Sequence, residues 1–465
     1  MGFPRYLSVS FLVASLLLAI SLPAQAEPGD YRLLQTLRHL VSPPKADNPV
    51  TPAQRQDDYP LISNPRGFKD GFSPGRYSQW QTVHLAPETG AVCGNGSPYK
   101  FFVNRVPGTS NTILYMEGGG ACWDYESCTG QTGIRGARNP NGVPDDYMSI
   151  LNPEGSFVSP FVARYHPFDR VKTQAWNMVY VPYCTGDVFS GDRVAVYEDP
   201  TGEKEPLVWH HNGLRNGRAV VAWMKDNLQR PTQLLSTGCS AGGVGSLNNY
   251  YPNRRDLAPE YGYLINDSGP VFPAPVSGNK ATYPSLPLHQ KIRAVWGLDD
   301  GALDYIRQEM PLFNEQDLGS INPALATAFP RDRLGHTHFW QDLNFSAYSY
   351  ERFHDETDQA PDQATLEQGL HQRWHQDTGA LITQLAGLDN FGYYLPAFRN
   401  INESHCSTII DFKNGDIPEM GLTLKDFIND VLDGSGSVMQ AAASDPKTDE
   451  NPRFNLLYWI VDGLL

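Results

Sequence analysis

Short apolar runs bounded by glycine, proline and asparagine recur along this chain and alternate with stretches of helical spacing. Thr82–Leu85, Lys100–Val103, Thr112–Met116 and Asn177–Val181 read as strands. Leu214–Leu228 carries Val220, Val221, Trp223 and Met224 in one stripe and reads as a helix. The rhythm then repeats: Thr232–Ser236 as a buried strand, Val244–Tyr250 as a helix, and Tyr263–Ile265 as a strand. Leu288, Ile292, Val295 and Trp296 give a helix over Leu288–Trp296, with a short strand as the rival reading. Phe345–Tyr350, rich in aromatics, reads as a further strand. Strands separated by helices in this way predict an α/β fold with a mainly parallel, doubly wound sheet. Leu303 to about Phe339 shows neither period and is expected to be an insertion, residues 303–340, capping the active edge.

The N-terminus departs from this pattern. Arg5 precedes an almost wholly apolar run, Phe11–Ile20, and Ala24-Gln25-Ala26 fits a signal-peptidase site. Residues 1–26 are therefore expected to be a signal peptide, and the product exported to the periplasm or medium with no membrane anchor. Residues 27–79 contain a possible helix, Tyr31–Val41, and a Pro-, Asp- and Gln-rich stretch, Ser42–Tyr59; they read as an arm or linker. The main domain is expected over residues 80–465. A formal charge of −15, one unit lower without Arg5, argues against nucleic acid and anionic surfaces as partners.

Six cysteines in an exported chain suggest disulfides, although six allow fifteen pairings. Cys122 and Cys128 are close enough to staple one loop. Cys93 and Cys184, each beside a strand end, are placed to close a longer one. Cys239 and Cys406 each adjoin a candidate catalytic residue and would meet if those residues do. No Cys-x-x-Cys pair supports a metal site, and no cofactor is indicated.

The candidate chemistry centres on Gly238-Cys239-Ser240-Ala241-Gly242, a Gly-x-Ser-x-Gly turn between a strand and a helix. A serine hydroxyl needs a histidine to take its proton, and the histidine needs a carboxylate to fix its tautomer. In the α/β-hydrolase arrangement the chain order is Ser, acid, His, with the acid just past a strand that follows the elbow. Asp355, after the aromatic run, is the first choice; Asp299 and Asp267 are its rivals. His405, beyond every candidate acid, is the expected base. His371 with His375, and His336 with His338, lack the rest of a metal site and read as surface or cap residues. Glu117-Gly118-Gly119-Gly120-Ala121 follows a strand and offers backbone amides for an oxyanion, with the amide of Ala241 completing the set.

Several of these segments together resemble the pectin acetylesterase family, which includes the Notum carboxylesterases. They are Cys93–Pro98, Leu114–Cys122, Val181–Asp187 with Phe189–Asp192, Gly238–Gly243 and Ser404-His405-Cys406. The resemblance implies a serine carboxylesterase of α/β-hydrolase-like fold with Ser240, Asp355 and His405 as triad. It places Gly119, Gly120 and Ala241 at the oxyanion hole, and Phe353-His354-Asp355-Glu356 is only loosely like the family's acid block. The expected substrate is an acetyl or short acyl ester on a carbohydrate such as pectin. Longer acyl esters or polyesters are the alternative, and a non-catalytic binding protein on the same scaffold is the third reading. Phe313, Phe339, Trp340 and Trp374 are candidates for stacking on sugar rings or for core.

Overall fold

A computed structural model describes residues 59–129, 137–149, 159–166 and 169–444. The expected signal peptide, the expected helix over residues 31–41 and most of the expected arm or linker lie outside the described residues.

In chain order the elements begin with strands β1 (Trp80–His84), β2 (Lys100–Asn104) and β3 (Thr112–Met116), then the one-turn helix α1 (Tyr125–Cys128). They continue with β4 (Asn177–Val181), β5 (Arg193–Tyr197), β6 (Leu207–His211), α2 (Gly213–Asn227), β7 (Gln233–Cys239), α3 (Ala241–Asn248), α4 (Tyr250–Leu257) and β8 (Tyr261–Asp267). The second half holds α5 (Leu286–Trp296), α6 (Ala302–Glu309), α7 (Ile321–Ala328), β9 (Arg333–Thr337), α8 (Leu343–Tyr350) and α9 (Asp355–Asp358). It closes with α10 (Gln363–Leu385), β10 (Phe391–Leu395), α11 (Leu424–Asp433) and β11 (Gln440–Ala442).

Nine strands form one sheet in the order β1-β2-β4-β3-β7-β8-β9-β10-β11. From β4 to β11 every neighbouring pair is parallel, while β2 runs antiparallel to both β1 and β4. β5 and β6 make a separate antiparallel hairpin. Successive side chains of a strand point to opposite faces, and here both faces are apolar. Ile113, Tyr115, Met178, Tyr180 and Leu235 pack with Phe427, Ile428 and Val431 of α11. Leu114, Met116, Val179, Val181 and Leu234 pack on the other side with Val220, Val221 and Trp223 of α2. A sheet covered on both faces is what parallel strands require.

Two expectations change. Residues 345–350 lie in helix α8, because Asp342 accepts the Phe345 amide at 2.8 Å and starts a helix there. Residues 333–337, inside the expected insertion, form β9 between β8 and β10, an interior strand of the sheet. Its glycine hides it: Gly335 lets α11 approach so closely that a Cβ there would meet Phe427 at 2.8 Å and Val431 at 2.9 Å. β10, β11, α11 and the β5–β6 hairpin also went unread. The rest of the interval, around Leu303, Ile306 and Leu318, packs in the core that surrounds a cavity. The end of the N-terminal arm lies against the body: the Trp223 indole donates to Asp70 at 2.7 Å, and Tyr59 is buried. No helix among the described residues is long and apolar enough to cross a membrane.

Phe427 is fully buried between Gly335 and the Tyr394 ring, with ring centroids 5.6 Å apart. Phe427→Ala should lower stability by about 3–5 kcal/mol, read as an earlier midpoint in urea unfolding.

Candidate active site

The elbow is built by crowding. Ser240 ends β7 at φ 57° and ψ −123°, a region few side chains occupy. Its amide donates to the Asp267 carbonyl at 2.9 Å, which holds the turn. Gly238 and Gly242 both face the Met116 carbonyl of β3, and a Cβ at either position would overlap it. Ser240 is part-exposed and faces the cavity together with Ala241, Gly120 and Ala121. The amides of Gly120 and Ala241 have no acceptor among the described residues, as an anion cradle at a helix N-terminus would require.

The glycine loop is anchored from behind. Glu117, buried, accepts from the Tyr147 hydroxyl at 2.5 Å and the Tyr183 amide at 2.8 Å. Gly119 adopts φ 154°, and a Cβ there would strike Arg138 and Tyr183. Three disulfides tie the surrounding loops, with Cα atoms 5.1 Å apart for Cys93–Cys184, 4.9 Å for Cys122–Cys128 and 5.7 Å for Cys239–Cys406. The third joins the residue before Ser240 to the residue after His405. A ring nitrogen of His405 lies within 4.8 Å of both sulfurs. All six expected cysteines are thus paired, in the three combinations their positions suggested.

His405 is buried, and its Nδ1 is 2.8 Å from Asp342 Oδ2. The other oxygen of Asp342 caps α8. Burial alone would push His405 down, but the Asp342 charge and hydrogen bond, with Asp267 and Glu403 adding charge, hold it above the ordinary histidine value. Burial pushes the Asp342 carboxyl up, with His405 pulling the other way.

The aspartates weighed from the sequence lie elsewhere. Asp355 is exposed at the first position of α9. Asp299 is exposed and pairs with Arg293 at 2.5 Å. Asp267 is buried at the end of β8, where Ser407 and Thr408 saturate it with donors, including their amides at 2.8 and 2.7 Å. Asp342, the carboxylate that meets His405, also follows a strand beyond the elbow, but the strand is β9. The missed signal was Asp342-Leu343-Asn344-Phe345, a helix-start pattern just ahead of the run expected to be a strand.

His336 and His338, read as surface or cap residues, are buried and joined through Nε2 and Nδ1 at 2.7 Å, with His338 reaching Thr378. Desolvation pushes His336 down to about 3 and lowers His338 as well, so both are neutral. His371 and His375 are half-buried and stack on each other. Phe339 and Trp374 are core residues, while Phe313 lines the cavity.

A serine on a strand-to-helix elbow at the C-terminal edge of a parallel sheet, with a carboxylate-held histidine covalently tethered beside it, defines an α/β-hydrolase-like scaffold. The sequence model of the Pectinacetylesterase family matches residues 73–262, which include the glycine loop and the elbow but neither Asp342 nor His405. Palmitoleoyl-protein carboxylesterase NOTUM of Drosophila melanogaster is 29% identical over 229 residues, covering 46% of this chain and 31% of that protein. Pectin acetylesterase 11 of Arabidopsis thaliana is 31% identical over 169 residues, covering 36% and 38%. A solved structure of the Wnt deacylase Notum from Drosophila aligns at 20% identity and a TM-score of 0.49, covering 81% of this chain and 97% of its own. Over residues 73–262 the chain is similar to the pectinacetylesterase and NOTUM proteins, and it spans about a third of the length of the curated relatives it matches.

Two measurements follow. The His405 imidazole, followed by NMR, should titrate above the ordinary histidine value of about 6.5; Asp342→Asn removes the charge that favours the proton and should lower that midpoint. Asp267→Asn turns an amide toward donors and should cost about 3–5 kcal/mol in chemical unfolding.

Proposed function

We propose that the protein is a serine carboxylesterase that removes a medium or long acyl chain through an acyl-enzyme. Ser240 Oγ attacks the ester carbonyl carbon while His405 takes its proton. Asp342 accepts from Nδ1–H, which fixes the tautomer and stabilises the imidazolium. The tetrahedral oxyanion is met by the amides of Gly120 and Ala241, with Gly119 shaping the loop; such donors are worth about 3–4 kcal/mol each. Collapse breaks the C–O bond and the leaving alcohol takes the proton from His405. Water, activated by the same histidine, then hydrolyses the acyl-enzyme.

One observation carries the choice of acyl group. Ser240 opens on an apolar cavity of about 100 Å³ lined by Trp123, Val271, Leu303, Ile306, Phe313 and Ile321, among others. An acetyl group would leave this space unfilled. Each buried methylene contributes about 0.8 kcal/mol, so a chain that fills the cavity gains binding that an acetyl ester lacks. A relative named as a palmitoleoyl-protein carboxylesterase supports the same class. The relatives named as pectin acetylesterases support the short-chain alternative on carbohydrate. Three disulfides suit an oxidising compartment and support export.

Nitrophenyl esters from acetyl to hexadecanoyl should show kcat/KM rising with chain length; a profile falling from acetyl onward would refute the long-chain reading. Ile306→Trp should depress the long esters more than the acetyl ester. A fluorophosphonate should label wild type but not Ser240→Ala. Asp342→Asn should cut turnover by about 10⁴-fold, while Asp355→Asn stays near wild type.

A further inference from the structure

The cavity beside Ser240 is apolar but not uniformly so. Among the polar side chains that line it, Asn248 donates to Ser190 at 3.0 Å and Asn249 donates to the carbonyls of Phe189 and Gly245. Ser349 is satisfied by the Phe345 carbonyl at 2.9 Å. Ser285 and His289 differ. Both line the cavity, they are only 1% and 6% exposed, and Ser285 Oγ and His289 Nδ1 have no hydrogen-bond partner among the described residues.

Their placement is set by the fold. Ser285 precedes α5 without capping it, and the His289 amide donates to the Ser285 carbonyl at 3.0 Å, so the two stand one helical turn apart on one face. Behind them, Asp377 Oδ2 accepts from the Ser285 amide and the Tyr350 hydroxyl, each at 2.9 Å. Asp377 Oδ1 and Ser285 Oγ are neighbours that close no hydrogen bond of ordinary geometry. Burial pushes His289 down to about 4, so the ring is neutral and offers one donor and one acceptor. The same burial pushes Asp377 up to about 7. Buried polar atoms without partners are uncommon and costly, and two of these, Ser285 Oγ and His289 Nδ1, belong to residues that line an otherwise largely apolar cavity, with Asp377 behind them.

We infer that Ser285 and His289 form a polar station within the acyl cavity that recognises a hydroxyl group carried by the acyl chain. A hydroxyl both donates and accepts, which matches a serine and a neutral imidazole side by side. A plain alkyl chain passing the same wall would leave His289 Nδ1 buried and unpaired, and would leave the Ser285 hydroxyl only the Asp377 carboxyl beside it. The inference rests on the acyl-cavity reading above and narrows its substrate class from long acyl esters to hydroxyacyl esters.

The test separates the two readings by measuring binding apart from turnover. Ser240→Ala is titrated calorimetrically with hexadecanoic acid and with its monohydroxy forms, the hydroxyl placed near the carboxyl, at mid-chain or at the terminus. At least one hydroxy acid should bind about tenfold more tightly than the plain acid. In a second variant that also carries His289→Leu, that preference should fall to near unity and the plain acid should bind more tightly. His289→Asn, which keeps a polar atom close to the Nδ1 position, should retain much of the preference. Equal binding of plain and hydroxy acids at every position, as expected if water satisfies the wall, overturns the inference, as does binding of neither. A preference that survives His289→Leu also overturns it. Absence of long-chain turnover in wild type, with the binding preference intact, would instead count against the proposed reaction alone.

Discussion

Asp267 ends the strand beside the elbow, and through two different parts of one residue it sets both halves of the site. Its backbone carbonyl receives the Ser240 amide. Its carboxylate receives five donors: the amides and hydroxyls of Ser407 and Thr408, and the hydroxyl of Ser268. A buried carboxylate is tolerable only when its lone pairs are filled in this way. The segment it grips needs gripping. Ser404, Cys406 and Ile410 adopt φ values of 58°, 67° and 66°, each a conformation that costs about 1 kcal/mol or more. From the other side, buried Arg399 donates to the carbonyls of Ser407 and Ile409 and to the Asp411 carboxylate. The position of His405 is thus dictated by ion and hydrogen-bond geometry on either side of it.

The nucleophile depends on a different force. Gly238 and Gly242 exist because the Met116 carbonyl of β3 leaves no room for a side chain. The same closeness brings the glycine loop that follows β3 against Ser240: a Cβ on Gly118 would meet the Cys239 carbonyl at 2.6 Å. Packing between adjacent strands therefore delivers the hydroxyl and the anion cradle together. Hydrophobic burial on both sheet faces supplies the rigidity that lets such contacts persist.

The first half of the fold was legible because its strands are apolar on both faces and short. The elbow, the three cysteine pairs and the late histidine could be read from local pattern and spacing. The second half was not legible for physical reasons. β9 carries a glycine and three polar residues, with a helix pressing on one side and a histidine pair on the other. The aromatic run Phe345–Tyr350 favours a strand by propensity, yet the Asp342 cap and packing against Trp374 and His405 make it a helix. Mistaking that one element put the expected acid at Asp355, whereas the carboxylate that meets His405 is Asp342. The strand from which the acid's place was measured is a helix; Asp342 follows β9 instead.

The bond between Cys239 and Cys406 spans 167 residues of sequence. It converts the nucleophile turn and the base-bearing segment into parts of a single covalent ring. If the edge of the sheet frays, the imidazole still travels with the alcohol, because bonded sulfurs leave their backbones little freedom to separate. Breathing motions that admit or release a bulky ester must then be borne by the helices around the cavity, whose contacts are non-covalent. The chemistry is locked while the vestibule can flex.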